Sequence, residues 1–280
     1  MMRLDVTGRV VVVTGAGKGI GFAVAEQLQH RGARLALIDV DRDQVEAAAR
    51  RLGDTTFACT ADVRDRAAMR DAMTAVIAHF GSIDVVVANA GVTPPPATVR
   101  AMEDADFDRV IGVNLFGVYN TVRPALDQII ANKGHVVIVS SGAAFSPGAG
   151  GSPYMISKSA VGQLGRALRL ELAPHGATSG TVHFGIVDTD MTHEMLDADE
   201  LGQEIGAMLP WPLRRRISAE TAAETIVDNV TSRAADSFAP FGWRQLKWVH
   251  GMLNPVMDRF LARSATMQRL ILSVDDPRHR

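Results

Sequence analysis

Cysteine is almost missing from this chain: Cys59 is the only one among 280 residues. An internal disulfide is therefore excluded, and a reducing compartment is expected. Cys59 falls in a strand-like run over Thr56–Thr60 and reads as a core residue. No charge of either sign dominates. The formal net charge is −2, which gives nucleic-acid binding no electrostatic support. The chain lacks an unbroken apolar stretch of the ~20 residues that a transmembrane helix needs. Met1-Met-Arg-Leu-Asp5 runs straight into a strand pattern without a secretory signal. The eight histidines are scattered, with no H-x-x-x-H pair and no cysteine cluster, so no metal site is expected. Repeats and low-complexity tracts are also missing. A cytoplasmic protein is expected, with membrane association left open.

What is present suits one large α/β domain. The hydrophobic fraction is 47%, enough for a full core. Short β-branched runs alternate with helical patterns. Strands are expected at Val10–Thr14, Arg34–Asp39, Thr56–Thr60, Ile83–Ala88, His135–Ser140 and Thr181–Phe184. Helices are expected at Ile20–His30, Asp41–Leu52, Arg64–Phe80, about Asp106–Ile130, and from Tyr154 to about His175. Such alternation implies parallel strands joined by right-handed crossovers. The strands are nearly all apolar, as they must be when helices cover both faces of a sheet.

Thr14-Gly-Ala-Gly-Lys-Gly-Ile-Gly21 lies between the first strand and the first helix. Gly15, Gly17, Gly19 and Gly21 permit a tight turn and close approach of a pyrophosphate. The free N–H groups behind them, around Lys18, Gly19 and Ile20, attract an anion. Asp39 ends the second strand, 24 residues beyond Gly15. A carboxylate there accepts hydrogen bonds from ribose hydroxyls and repels a 2′-phosphate, so NAD is favoured over NADP. Lys18 and Arg42 argue in the other direction. Asp62-Val63 ends the third strand, where Asp62 would meet an adenine amino group or cap the next helix. Asn89-Ala90-Gly91 ends the fourth, leaving space for a flat cofactor ring or simply making the turn.

Tyr154 and Lys158 lie in Ser152-Pro-Tyr-Met-Ile-Ser-Lys158. On a helix, a four-residue spacing puts phenol and ammonium on one face. Ser141 lies thirteen residues before the tyrosine. Together a serine, a tyrosine and a lysine can move a proton to or from an alcohol. Each also has a plain structural reading: Tyr154 as a packed aromatic, Lys158 as a solvated helix residue, Asn114 as an interior polar group satisfied by backbone.

The ordered set of TGAGKGIG, Asp62-Val63, Asn89-Ala90-Gly91, Asn114, Ser141 and YMISK resembles the classical short-chain dehydrogenases/reductases over about residues 8–235. The resemblance implies a doubly wound Rossmann fold with a mostly parallel seven-stranded sheet and helices on both faces. It implies hydride transfer between a carbinol carbon and a nicotinamide ring. It places a catalytic tetrad on Asn114, Ser141, Tyr154 and Lys158. Cofactor contacts fall on the glycine loop, Asp39, Asp62, Val63, Asn89, Ala90, Gly91, Tyr154, Lys158, Gly185, Val187 and Thr189. Two features depart from the family. Phe184 stands where a proline is usual before Gly185, and the common Val-Asp-Gly-Gly ending is replaced by Asp236-Ser-Phe-Ala-Pro-Phe-Gly242. A homodimer through the helices carrying Asn114 and Tyr154 remains expected; a tetramer built on the usual ending is less so.

The residues support a definite proton path. A free phenol has a pKa near ~10, and moving it to ~7 requires roughly 4 kcal/mol. One ammonium at ~4 Å in an effective dielectric of ~20 supplies about that. In this reading Tyr154 is the general acid/base, Ser141 orients the substrate oxygen, Lys158 lowers the phenol pKa and binds ribose, and Asn114 holds a water. Oxidised nicotinamide adds a second positive charge, needed if Lys158 lies farther away.

The substrate is less defined. Residues 190–217 read as a flap with Met191, Met195, Leu196, Met208, Leu209 and Trp211, which suits a lipophilic alcohol or ketone such as a sterol, retinoid or fatty-chain compound, or equally is ordinary flap packing. Arg214-Arg215-Arg216 reads as solvated surface, or as an anion or membrane contact. The catalytic domain is expected to span 1–240, followed by an amphipathic helical extension over 241–280. Asn254-Pro255 reads as a helix start within it. Residues 241–270 carry Arg244, Lys247, Arg259, Arg263 and Arg269 against Asp258, with Trp243 and Trp248. Such a helix lies on a membrane surface, or packs over the active site or a sister subunit. An NADP(H)-dependent carbonyl reductase and a non-catalytic NAD(H) sensor or scaffold are the competing functions.

Overall fold

The computed structural model describes residues 3–197 and 214–275. Its first half alternates strictly: β1 (Val10–Thr14), α1 (Gly19–His30), β2 (Arg34–Asp39), α2 (Arg42–Leu52), β3 (Thr56–Thr60), α3 (Arg66–Phe80) and β4 (Val85–Ala88). An irregular helical path follows, from α4 (Asp104–Ile111) through a π-helical turn at Gly112–Phe116 into α5 (Gly117–Val122) and, after a 3-10 turn, α6 (Leu126–Ala131). Then come β5 (His135–Ser141), α7 (Ser152–Leu172), β6 (Thr178–Phe184), α8 (Asp190–Leu196), α9 (Ala219–Ser232), β7 (Asp236–Ala239), α10 (Gly242–Arg263) and α11 (Ala265–Val274).

The strands form one sheet in the order β3-β2-β1-β4-β5-β6-β7. Every pairing is parallel, so the sheet is wholly and not mostly parallel. Alternate residues feed two cores. Val11, Val13, Leu35, Leu37, Val85 and Val87 face α1, α2 and α9. Val10, Val12, Ala36, Ile38, Val86 and Ala88 face α3, α5 and α7. Burial on both faces explains why β1, β4, β5 and β6 are buried at every position.

Several boundaries differ from the sequence expectation for identifiable reasons. α3 starts at Arg66 because Asp65, not Asp62, accepts from Ala67 and Ala68 N–H. β4 starts at Val85, after Asp84 turns its carboxylate to Arg9 and to the Val10 N–H. β6 starts at Thr178, which pairs with His135. Asn254-Pro255 does not start a helix: both lie inside α10. The Asn254 Oδ1 is buried without a hydrogen bond, so it caps nothing. The break comes instead at Ser264, which accepts from the Met267 N–H. Met208, Leu209 and Trp211 lie outside the described residues.

α10 is fastened to the C-terminal ends of β5 and β6. Trp243 is 3% exposed. Its indole lies against Gly142 and Gly185, and a Cβ on either glycine would overlap the ring. One turn further, Lys247 pairs with Asp236, which also meets His183 Nε2 at 3.3 Å. Trp243 thus joins the extension to the residues that follow Ser141 and Phe184. Truncating a buried tryptophan typically costs about 3–5 kcal/mol. Trp243→Ala is expected to lose that much stability in urea unfolding; a loss below about 1 kcal/mol would show that the indole is not a core residue.

Candidate active site

Strand order reverses between β1, which continues to β2, and β4, which continues to β5. Loops leaving the two strands therefore diverge and open a crevice, the usual place for ligands in such sheets. A cleft of about 670 Å³ occupies this position. Its walls include Gly15, Lys18, Gly19, Ile20, Gly21, Asp39, Asp62, Val63, Asn89, Ala90, Gly91, Ser141, Tyr154, Lys158, Gly185, Val187 and Thr189. Gly17 and Asn114 are the two expected site residues that do not line it.

The glycine loop is held from behind. Asn89 Nδ2 donates to the Thr14 and Gly15 carbonyls, at 3.0 and 3.2 Å. Thr14 Oγ1 accepts in return from the Asn89 and Ala90 N–H groups. Asp39 Oδ2 accepts from the Gly17 N–H at 2.9 Å. Gly15 has φ +63°, and a Cβ there would lie 2.9 Å from the Ala90 Cα, so only glycine suits that turn. A Cβ on Gly21 would collide with the Gly15 carbonyl. At its start α1 has no side-chain cap, whereas Asp41, Asp65 and Ser218 cap α2, α3 and α9. The first N–H groups of α1 therefore remain available to an anion. This cradle fits a dinucleotide pyrophosphate, with Asp39 placed for a ribose.

The cations that argued for a 2′-phosphate are engaged elsewhere. Lys18 Nζ meets Asp190 Oδ2 at 2.9 Å, bridging the glycine loop to α8. Arg42 meets Glu46 along α2. Asp62 is gripped by Arg64, whose guanidinium lies 2.6 Å away and holds the carboxyl below its usual range. Arg109 is a lining residue that the sequence reading missed; it donates to the Thr93 carbonyl and to Asp106. Its signal was weak, since an arginine three residues after an aspartate on a helix suggests only an ordinary surface pair.

Ser141, Tyr154 and Lys158 converge at the other end. Ser141 Oγ is buried, accepts from the Ala143 N–H and donates to the Phe184 carbonyl at 3.3 Å. When that hydroxyl turns instead to the Tyr154 phenol, it pulls the phenol pKa downward. Burial is the larger influence and pushes that phenol above its ordinary value. Lys158 Nζ donates to the Val139 carbonyl at 3.1 Å and lies 5.6 Å from the Tyr154 ring centroid. Burial also lowers the lysine itself to about 8. In the protein alone, then, desolvation dominates at the phenol.

Asn114 sits in the π-helical turn at zero exposure. Its Oδ1 accepts from the Val92 N–H at 2.8 Å, and its Nδ2 donates to the Val92 carbonyl at 2.9 Å and to Ser157 Oγ at 3.2 Å. The side chain is thus held by protein groups, two bonds to the Val92 backbone and one to the Ser157 hydroxyl. The point that a Cβ on Gly91 would occupy lies 3.4 Å from both Asn114 Oδ1 and Lys158 Nζ. π turns of this kind recur at functional sites.

Among the described residues no group of three or more His, Cys, Asp or Glu side chains could hold a metal. The short chain dehydrogenase family model matches residues 9–200. The chain is 33% identical over 209 residues to a 2-(R)-hydroxypropyl-CoM dehydrogenase of Xanthobacter autotrophicus, covering 72% of this chain and 84% of that protein. It is 36% identical over 237 residues to a putative oxidoreductase, SadH, of Mycobacterium tuberculosis, covering 81% and 84%. Among solved structures, 3-ketoacyl-(acyl-carrier-protein) reductase of Brucella melitensis, complexed with NADH, superposes with a TM-score of 0.71 at 26% identity, covering 84% of this chain and 97% of that one. The glycine cradle, the crevice at the strand reversal and these likenesses lead to one assignment: the chain belongs to the short-chain dehydrogenase/reductase family and is an oxidoreductase acting on CH–OH groups.

Proposed function

We propose that the protein is an NAD-dependent dehydrogenase/reductase that interconverts a lipophilic secondary alcohol and its ketone, with Tyr154 as general acid/base. The observation that carries this reading is the convergence of Ser141, Tyr154 and Lys158 on a cleft whose far end holds Asp39 and an uncapped helix start. A nicotinamide dinucleotide, when bound, supplies the hydride acceptor or donor and, in its oxidised form, a positive charge. Gly15, Gly19, Ile20 and Gly21 bind its pyrophosphate, and Asp39 accepts from its ribose. Lys158 hydrogen-bonds the second ribose. Gly185, Val187 and Thr189 flank the nicotinamide end. Ser141 Oγ holds the substrate oxygen beside Tyr154. In reduction the phenol donates its proton to that oxygen, and in oxidation it withdraws it. The buried phenol is a ready proton donor near neutrality, and as a base it needs the added positive charge. Val113, Val187 and Met191 give the substrate end an apolar wall. Relatives named as dehydrogenases of a hydroxypropyl compound and of a dihydrodiol support an alcohol substrate.

A homodimer is also inferred. Phe116 and Tyr119 beside Asn114, and Ile156 and Leu170 on α7, are exposed apolar residues; Leu170 is 77% exposed. Ile156, Gln163 and Leu170 lie seven apart on one face of α7. Leu170→Arg is expected to convert a dimeric mass to a monomeric one in light scattering. A wild-type monomer would remove the inference.

Two measurements address the chemistry. Wild-type protein is expected to reduce NAD⁺ with members of a secondary-alcohol panel, faster as pH rises from 7 to 9 because the phenol must deprotonate. Tyr154→Phe is expected to lose at least ~100-fold in kcat with cofactor affinity retained. Wild-type turnover in that variant would end the assignment. For the cofactor, Asp39→Asn keeps an oxygen for the Gly17 N–H and removes the charge. About 1–4 kcal/mol of repulsion acts between charges ~4 Å apart at dielectrics of ~80 to ~20. The NAD/NADP ratio of kcat/KM should therefore fall at least ~5-fold, and an unchanged ratio would show that Asp39 does not set the preference.

A further inference from the structure

α10 has two apolar faces, and the described residues cover only one. The inner face carries Trp243, Leu246, Lys247, His250, Asn254, Met257 and Leu261, none of them exposed. These recur at three- and four-residue steps, as one side of a helix must. On the opposite side, Trp248, Met252, Val256 and Phe260 follow at four-residue intervals. They are 76, 84, 71 and 72% exposed. Large apolar side chains set in a continuous exposed row mark a surface that meets something.

The charges on that face select the partner. Arg244, Arg259 and Arg263 are exposed and share it with the apolar row. Arg244 stacks on Phe241 and Trp248, with its guanidinium 5.7 and 5.9 Å from the ring centroids. The single acid of the helix is Asp258, toward the edge of the face. Lys247, the lysine of this helix, points inward to Asp236 and takes no part. A second copy of the chain is a poor occupant, because two-fold packing of this face would set arginines against arginines. An anionic lipid surface satisfies both features. Trp248, Met252, Val256 and Phe260 enter the acyl boundary, while the arginine stems run along apolar surface and their heads reach the headgroups. None of the helices among the described residues is long and apolar enough to cross a membrane, so the contact is lateral.

We propose that the outer face of α10 docks the protein on anionic bilayer surfaces. This inference does not depend on the oxidoreductase reading. Flotation of the full-length protein with vesicles of phosphatidylcholine, alone or with a third phosphatidylserine, tests it. Binding is expected only with the anionic vesicles, and it should fall when salt is raised to ~1 M, where the screening length shrinks to ~3 Å. Arg259→Glu/Arg263→Glu and Trp248→Ser/Phe260→Ser should each weaken binding at least ~10-fold. Both pairs are exposed, so thermal melting and NADH binding should match wild type and separate this outcome from misfolding. Absence of wild-type binding to either vesicle overturns the proposal, as does undiminished binding by both variants. Loss of self-association in the Trp248/Phe260 variant, without any lipid binding, assigns the face to a second copy instead.

Discussion

Much of the site depends on one hydrogen-bonded tie, the Asn89 amide against the Thr14 and Gly15 carbonyls. β1 and β4 are neighbours whose following loops run in opposite directions, and nothing in the sheet ladder holds those loops together. Asn89 does so with one side chain, and Thr14 answers with its hydroxyl. The glycine turn can then present its backbone to the crevice. Asp39 secures the same loop from the β2 side through Gly17. A residue expected to recognise a ribose is therefore also part of the frame that shapes the phosphate cradle. Position and recognition are coupled there, which is why removing its charge while keeping its oxygen separates the two roles.

The other end of the crevice is governed by desolvation. Tyr154 and Lys158 stand on one face of α7 as their spacing requires, but proximity on a helix does not set the distance between a phenol and an ammonium. Lys158 donates to the Val139 carbonyl, and burial draws its own pKa down to about 8. Burial is the larger influence on the Tyr154 phenol and raises its pKa, while the Ser141 hydroxyl acts in the opposite direction.

Much of the fold was legible because burial on both sheet faces leaves runs such as Val10–Val13 and Val136–Val139 with no other use. The crevice followed from glycines placed between β1 and α1. Three features were hidden for physical reasons. The π turn at Gly112–Phe116 leaves no mark in a pattern of apolar spacing, since it adds one residue to a turn and keeps the helix going. Arg64 on Asp62 and Asp190 on Lys18 are pairings of exposed groups that side-chain type cannot forecast. Asn254-Pro255 misled because a cap signal is local, whereas the packing of Leu246, His250, Asn254 and Met257 along one side carries the helix through the proline.

The same helix links the crevice to the surface. Trp243 fills the slot left by Gly142 and Gly185, directly after Ser141 and Phe184 in the paired strands. Two glycines side by side at strand ends are needed for the indole to lie flat there, so the extension is matched to the sheet and not merely appended to it. Five residues further along the helix, Trp248 points the other way and is largely exposed. Because the indole is seated beside the ends of β5 and β6, the strands that lead into Ser141 and Phe184, a contact made by the outer face of α10 would be tied through one helix to the wall of the crevice.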